Sequence, residues 1–455
     1  MQDGYNYIFD YIDEHIEDAL KDLMRLCRQP SISAQGIGIE ETAQLVAEML
    51  RECNIKTQIL PGVGGGPPVV YGELAGGSPY TLLFYNHYDV QPPEPLEEWT
   101  NPPFEPTISN GILRCRGVAD NKGNIVARLY AIKAYQEVKG RLPISIKFCI
   151  EGEEEIGSPH LAAFVEQNRS LLKADACIWE GGDINWQGQP VINFGVKGLL
   201  YVELLVRGAA RDVHSSLATV VPNPAWRLVW ALNSLKDKDE KILIPGFYDA
   251  VRPPSPPEVE AIRAIPPEDE ELKESLGLGS FLLGLSGSVF KWRNLFEPTC
   301  NICGLTSGYG GEGSKTVLPC LARAKIDFRL VPDQRPEYIL AKLRRHLDEN
   351  GFADIDIIDL CGENPARTPL DSPFGQVVCQ TAKEVYGLDP VIQPTMAATG
   401  PMSCFTDTLG IPTVCMGFEY PGNRAHAPDE NIRLADFVKG TRHVAAVIDR
   451  LGKRA

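Results

Sequence analysis

The sequence has no long apolar run and no excess of positive charge. Its 455 residues include 44 Lys and Arg against 60 Asp and Glu, which gives a net charge of −16. This charge balance argues against nucleic acid or an anionic membrane surface as a partner. No stretch reaches the roughly 18 consecutive apolar residues that a membrane-spanning helix needs. We therefore expect a protein that binds neither nucleic acid nor membrane.

Paired CxxC motifs and a signal peptide are also lacking. The single CxxC, Cys300 to Cys303, has no second pair to complete a zinc knuckle. Most of the other cysteines lie in apolar segments, as small buried side chains do in a reducing compartment. The N-terminal segment "YNYIFDYIDEHIEDAL" is acidic and amphipathic, unlike a signal peptide. These features predict a cytoplasmic protein.

Strand-like and helix-like segments alternate between Thr81 and about Gly195. The segments "TLLFYNHYD", "PISIKFCIEGEEE" and "ADACIWEGGD" are typical of strands, and amphipathic helices separate them. This alternation predicts an α/β fold with a mixed, mostly parallel sheet that is covered by helices.

A second unit of different character is expected in the middle of the chain. The strands "GVKGLLYVELLVRG" and "ARAKIDFRLVP" alternate in polarity, and the passage "VRPPSPPEVEAIRAIPPEDEEL" between them is expected to be irregular. We predict an inserted α+β domain over residues 196–370. Residues 1–195 and 371–455 would then form the two parts of the first domain.

The predicted strands of the first domain end in side chains that can bind a metal. These are His87 and Asp89, then Glu153, Glu154 and Glu155, and then Glu180 with Asp183 nearby. Asp120 lies in the glycine-flanked loop "RGVADNKGN". Because sites in open α/β sheets form outside the carboxyl ends of the strands, these side chains should converge on one crevice.

Asp89 lies two residues after His87 and therefore on the same side of an extended chain. Its carboxylate can accept a hydrogen bond from the imidazole nitrogen that does not face a metal. Such a bond fixes the tautomer of the histidine and raises its basicity as a ligand.

Six motifs carry a resemblance to a known family. In order along the chain they are "NHYDVQP", "RGVADNKG", "EGEEEIGS", "WEGG", "RDVHS" and "RAHAPDE". Their order and spacing resemble those of the M20 family of di-zinc metallopeptidases, nearest to the carnosine-dipeptidase and non-specific dipeptidase type. The resemblance implies a catalytic metal-binding domain, split into residues 1–195 and 371–455, and a lid/dimerisation domain over residues 196–370.

The resemblance also implies roles for individual residues. Glu154 corresponds to the general base, Asp120 to a bridging carboxylate that precedes a cis peptide bond, and Glu153 has no catalytic role. For the last metal ligand, Glu180 fits best because it directly follows a short apolar strand, and Asp183 is the competitor. The implied metal ligands are His87, Asp120, Glu155, Glu180 and His426.

The inserted domain and a late loop would contribute substrate contacts. His214 resembles a histidine that reaches the tetrahedral intermediate from the partner subunit, although it could instead cap a turn. Arg329 resembles an arginine that binds the substrate carboxylate, although a surface ion pair is as good an explanation. Asn301, Gly400 and Pro401 resemble further substrate contacts.

The predicted function is metal-dependent hydrolysis of the amide bond in short peptides, most simply dipeptides, by a homodimer. The alternative is a deacylase of N-acyl amino acids or related amides, similar to acetylornithine deacetylase or succinyl-diaminopimelate desuccinylase. Both predicted functions need two divalent metal ions, zinc in the first place and manganese or cobalt as substitutes.

Overall fold

The computed structural model describes residues 5–454. Its helices are α1 (Asn6–Glu14), α2 (Ile16–Arg28), α3 (Ile39–Glu52), α4 (Lys122–Lys139), α5 (Leu161–Gln167), α6 (Arg169–Leu172), α7 (Pro224–Leu235), α8 (Pro256–Ala264), α9 (Asp269–Leu276), α10 (Gly287–Phe296), α11 (Pro336–Glu349), α12 (Pro373–Tyr386) and α13 (Leu434–Gly452).

The strands are β1 (Lys56–Leu60), β2 (Val69–Leu74), β3 (Thr81–His87), β4 (Thr107–Ser109), β5 (Ile112–Arg114), β6 (Ser145–Glu151), β7 (Ala176–Trp179), β8 (Val191–Asn193), β9 (Gly195–Val196), β10 (Gly198–Arg207), β11 (Val213–His214), β12 (Asn301–Ser307), β13 (Val317–Leu318), β14 (Leu321–Leu330), β15 (Asp356–Glu363), β16 (Ala366–Arg367), β17 (Val391–Gln393), β18 (Thr413–Cys415) and β19 (Asn431–Arg433).

The larger sheet has eight strands in the order β1-β2-β6-β3-β7-β18-β8-β17. Strands β6, β3, β7 and β18 at its centre run parallel to one another. Six of the seven residues of β3 are buried, as expected for a strand with both faces covered. The mixed, mostly parallel sheet covered by helices is therefore confirmed.

The smaller sheet is antiparallel, with the order β12-β14-β10-β15. Alternate residues of β14 are buried, and α7 and α11 pack on that covered face. Its strands all lie between residues 198 and 363, and those of the larger sheet lie before residue 194 or after residue 390. The proposed domain boundaries at 195 and 370 are compatible with this division and stay a prediction.

We expected the Pro-rich passage from residue 251 to be irregular, but the structure shows that it contains the helix α8. Ser255 and Glu258 form a capping box at the start of α8, in which the Glu258 carboxylate accepts the Ser255 backbone N–H at 2.7 Å. Pro256 occupies the first turn, where its missing N–H costs nothing. The expectation was wrong because proline was counted as a breaker, whereas S-x-x-E marks a helix start.

The remaining expectations concern membranes and cysteines. Within residues 5–454, no helix is both long and apolar enough to cross a membrane. The twelve cysteines are all free thiols, and nine of them are buried. Cys303 is the exposed exception to the expected small buried side chain, and Cys320 and Cys361 are partly exposed.

Candidate metal centre

The sheet order brings the predicted site residues to one edge. Strand β3 ends at His87, and its neighbours β6 and β7 run parallel to it on either side. Glu154 and Glu155 lie in a short 3-10 turn after β6, and Glu180 follows β7 directly. Because the three carboxyl ends are adjacent, the side chains that follow them meet in one crevice.

Asp120 stands at the centre of this cluster, between two histidines. Its Oδ1 lies 2.9 Å from Nε2 of His87, and its Oδ2 lies 2.9 Å from Nε2 of His426. The peptide bond between Asp120 and Asn121 is cis, as expected. The two oxygens of one carboxylate therefore face two separate imidazoles.

Each histidine also faces a second carboxylate. Oε1 of Glu180 lies 3.5 Å from Nε2 of His87, and Oε2 of Glu155 lies 3.1 Å from Nε2 of His426. One atom each from His87, Asp120 and Glu155 lie within 4.8 Å of one another. The same holds for one atom each from His87, Glu154 and Glu180. Asp183 belongs to neither group.

Glu180 adopts an uncommon backbone conformation, with φ at +48°. Such conformations cluster at functional sites because the surrounding structure has to enforce them. The following residue, Gly181, is closely packed, since a Cβ atom there would lie 2.3 Å from Oε1 of Glu419 and that side chain would have to move. Oε2 of Glu180 is buried and has no hydrogen-bond partner among the described residues. This buried acceptor lacks a positively charged or donating group.

Asp89 contacts both His87 and the turn that contains Glu154 and Glu155. Its Oδ1 lies 3.3 Å from Nδ1 of His87, which also faces the backbone oxygen of Asp89 at 3.1 Å. The carboxylate accepts the backbone N–H groups of Glu154 at 3.2 Å and Glu155 at 3.0 Å. One buried carboxylate thus orients the histidine and both glutamates.

Gln91 orients Glu155 and was missed in the sequence. Its backbone N–H donates to Oε1 of Glu155 at 3.2 Å, and its side-chain amide donates to Oε2 at 2.9 Å. Gln91 lies within the motif "NHYDVQP", so the motif itself was the available signal.

Arg116, Arg128 and Glu430 were also missed. The buried Arg128 donates to the backbone oxygen of Tyr85 at 2.6 Å and also to that of Glu180. The buried Glu430 accepts a hydrogen bond from Arg116 at 2.8 Å and bonds to the backbone of the Asp120 loop. These residues support the ligand candidates rather than facing the crevice.

The electrostatics of the centre reflect the crowding of carboxylates. Burial, followed by the charge of Glu180, raises the pKa of Glu154 well above its usual value. Burial also raises the pKa values of Glu155 and Glu180. Hydrogen bonds with Asp120 and Glu155 raise the pKa of His426 to about 11. The site therefore attracts positive charge.

Glu154 borders the loop that contains Gly400. A Cβ atom on Gly400 would lie 2.6 Å from the indole ring of Trp179 and 3.7 Å from Oε1 of Glu154. Gly400 and Pro401 are both buried. Only glycine allows the chain to approach Trp179 this closely, which places backbone of this loop next to Glu154.

The predicted substrate residues of the inserted segment lie on its own sheet. His214 is exposed, and its Nδ1 accepts the backbone N–H of Ser216 at 3.1 Å, as in the turn-cap alternative. Nε of Arg329 lies 3.4 Å from Oδ2 of Asp327. The exposed Asn301 pairs with Asp327 across the strands β12 and β14. None of these three residues belongs to the ligand groups around Asp120 among the described residues.

The chain is similar to known dipeptidases over most of its length. The chain is 27% identical to the Beta-Ala-His dipeptidase of Homo sapiens, over 96% of this chain and 91% of that protein. It is 28% identical to the Cys-Gly metallodipeptidase DUG1 of Saccharomyces cerevisiae, over 84% of this chain and 82% of that protein.

A solved structure is more similar still. The M20 family metallo-carboxypeptidase Sso-CP2 of Sulfolobus solfataricus superimposes with a TM-score of 0.92 at 41% identity, over 96% of this chain and 99% of that chain. Residues 83–450 match peptidase family M20/M25/M40. The chain belongs to this family and is a hydrolase of the metallopeptidase type.

Proposed function

We propose that the protein hydrolyses the amide bond of short peptides, most simply dipeptides, with two divalent metal ions, zinc in the first place. The observation that carries the proposal is the position of Asp120, whose two carboxylate oxygens each lie 2.9 Å from the Nε2 atom of a different histidine. One metal would be held by His87, Asp120 and Glu180. The other would be held by His426, Asp120 and Glu155.

The donor atoms fit divalent cations. Each set combines one imidazole nitrogen with carboxylate oxygens, which suits zinc and also admits manganese or cobalt. The unpaired buried Oε2 of Glu180 is the atom that most clearly lacks a cation. Asp89 supports the fit because it orients His87 through the nitrogen that faces away from Asp120.

Glu154 is proposed as the general base. Two divalent cations, when bound, lower the pKa of a water molecule and polarise the substrate carbonyl group. The Glu154 carboxylate would accept a proton from the attacking water and deliver it to the leaving nitrogen. Its Oε2 lies 3.9 Å from Nε2 of His87, and the Asp89 carboxylate holds its backbone. This position next to the ligand atoms supports the role.

Arg329, Asn301, Gly400 and Pro401 are proposed to bind the carboxylate end of the substrate. A guanidinium group can donate two parallel hydrogen bonds to a carboxylate. The side chain of Arg329 is 36% exposed, and its contact with Asp327 is long at 3.4 Å, so a substrate could replace it. The position of Gly400 beside Glu154 supports a backbone contact there.

We further propose a cytoplasmic homodimer in which His214 acts on the partner subunit's substrate. Trp226 and Trp230 on α7 are 59% and 56% exposed, and their rings stack at 6.2 Å. Exposed apolar groups of this size mark interaction surfaces. The free thiols support a reducing compartment.

Two other substrate classes remain to be tested. The similarity to the metallo-carboxypeptidase Sso-CP2 favours removal of C-terminal residues from longer peptides. A deacylase would instead cleave N-acyl amino acids. The test is a panel of free dipeptides, N-blocked longer peptides, and acetyl- and succinyl-amino acids, each with zinc, manganese or cobalt.

A dipeptidase should cleave the free dipeptides at least tenfold faster than the other two groups. Faster cleavage of N-blocked longer peptides would make the protein a carboxypeptidase, and faster cleavage of acyl-amino acids would make it a deacylase. Failure to cleave any amide with any of the three metals would refute the proposed function.

A further inference from the structure

The buried carboxylate of Glu430 accepts several backbone N–H groups of the loop that contains Asp120. Oε1 of Glu430 accepts the backbone N–H groups of Ala119 at 2.9 Å and Asp120 at 3.1 Å. Oε2 accepts the backbone N–H of Gly117 at 2.9 Å and a guanidinium N–H of Arg116 at 2.8 Å. The side chain of Glu430 is 1% exposed, so water does not compete for these bonds.

Glu430 also belongs to the loop that carries His426, four residues earlier. The Asp120 loop and the His426 loop are remote in the sequence, and the hydrogen bonds of Glu430 connect them. Oδ2 of Asp120 lies 2.9 Å from Nε2 of His426, so this contact depends on how the two loops are aligned. The backbone N–H of Asp120 is itself one of the bonds to Glu430.

Arg116 is the side-chain partner of this carboxylate, and other groups hold it in place. Its guanidinium lies over the ring of Trp99 at 5.2 Å and donates to the backbone oxygen of Pro92 at 3.2 Å. Arg116 is also 1% exposed. Because both members of the ion pair are buried and held by other groups, Glu430 has little freedom to move.

We propose that Glu430 is a positioning residue, which sets Asp120 between His87 and His426 and so determines how tightly the centre binds metal. The inference rests on the metal-dependent activity proposed above. A carboxylate can accept all four N–H groups because it carries no hydrogen, whereas a glutamine would turn its own NH₂ group towards N–H donors. The Glu430→Gln variant should therefore displace the Asp120 loop while it preserves the side-chain volume.

A matched control exists in the inserted segment. Glu258 also pairs with an arginine, Arg367, at 2.8 Å, and the two side chains are 10% and 8% exposed. It also accepts the backbone N–H of Ser255 at 2.7 Å. Glu258→Gln removes the same kind of buried interaction without touching the loops of Asp120 or His426.

The experiment is a titration of the metal-stripped protein with Co²⁺, followed by the visible absorption of the bound ion, together with kcat and KM. Glu430→Gln should bind Co²⁺ about 10- to 100-fold more weakly than wild type, as expected when a group that orients a ligand is lost. Its kcat should fall more than its KM rises. Glu258→Gln should bind Co²⁺ like wild type, although it unfolds at a lower denaturant concentration.

The outcomes separate the two proposals. If wild type binds no Co²⁺, the proposed function fails. If wild type binds Co²⁺ and Glu430→Gln binds it within twofold of wild type, the positioning role is refuted. Equal weakening in Glu258→Gln would also refute it, because general destabilisation would then explain the effect. If Glu430→Gln does not fold, Arg116→Lys gives the same comparison, and unchanged Co²⁺ affinity in that variant overturns the inference.

Discussion

Oδ2 of Asp89 accepts the backbone N–H of Glu155 at 3.0 Å, so the residue that orients His87 also fixes the glutamate turn. An asparagine at position 89 would keep one acceptor oxygen and turn an NH₂ group towards either the histidine or the turn. Two strands of the site are coupled through this one carboxylate.

We therefore expect Asp89→Asn to lower both kcat and the affinity of the metal site that includes His87. Metal affinity should fall about 10- to 100-fold, as for other residues that orient a ligand. Metal analysis after dialysis against graded chelator, together with kcat, checks this prediction. Wild-type metal affinity in the variant would contradict it.

Glu154→Gln should retain two metal ions and lose at least about 100-fold in kcat, because the change removes the proposed proton acceptor but no proposed ligand. Glu153→Gln is the matched control. The buried Glu153 carboxylate accepts the backbone N–H of His160 at 2.8 Å and is not one of the proposed ligands or the proposed base. Activity of Glu154→Gln within tenfold of wild type would rule out the assignment as base.

Glu180→Ala should reduce the metal content from two ions to one per chain, whereas Asp183→Ala should leave two. The reason is geometric: Glu180 lies 3.5 Å from Nε2 of His87, and Asp183 belongs to neither group of ligand atoms. Metal-to-protein ratios measured on the purified variants decide the question. The reverse pattern would assign the ligand role to Asp183.

His214→Ala and Glu154→Gln homodimers should each be nearly inactive, but a refolded mixture of the two should regain part of the activity. A heterodimer contains one site in which Glu154, the proposed base, and the partner's histidine are both intact. Activity is measured together with the fraction of heterodimer. If the mixture stays inactive although heterodimers have formed, the histidine does not act across the interface.

His443 should make the protein less stable in mild acid. Burial lowers its pKa to about 4, below the value of about 6.5 in an unfolded chain. As the pH falls from 6.5 towards 4, the unfolded state takes up the proton first. The contribution of neutral His443 to the free energy of unfolding is therefore fully present above pH 6.5 and is lost as the pH falls through this range. Between pH 7 and pH 5 the loss should be about 2 kcal/mol.

Urea unfolding of metal-free wild type and His443→Gln at pH 7 and pH 5 tests this value. The variant should lose about 2 kcal/mol less than wild type between the two pH values. An identical pH dependence in wild type and His443→Gln would exclude the effect.

The family and the larger sheet could be predicted from the sequence because their signals are local. Each strand of the site is a short apolar run followed by polar residues, and parallel strands end at the same edge. The position of Glu180 beside His87 could also be predicted from its place directly after β7, and its preference over Asp183 as a metal ligand stays a prediction. The left-handed backbone at Glu180 could not be foreseen, because groups that pack around this turn, such as Glu419 beside Gly181, are remote in the sequence.

The supporting residues escaped for the same reason. Gln91 and Glu430 lie within two of the six motifs, but their hydrogen-bond partners belong to distant segments, and no periodicity reports such contacts. The prediction for the Pro-rich passage failed for a different reason. The capping-box signal at Ser255 was present in the sequence, but more weight was given to the prolines. The place of His214 in a dimer stays a prediction, because a single chain contains no partner.

Strand β18 lies between β7 and β8, so the centre of the larger sheet is filled by a segment from near the end of the chain. His426 follows this strand and faces Asp120. A chain synthesised only as far as the inserted segment contains β6, β3 and β7, but it lacks both the central strand β18 and the second histidine. We therefore expect that a fragment ending before β18 has an incomplete sheet and an incomplete metal centre.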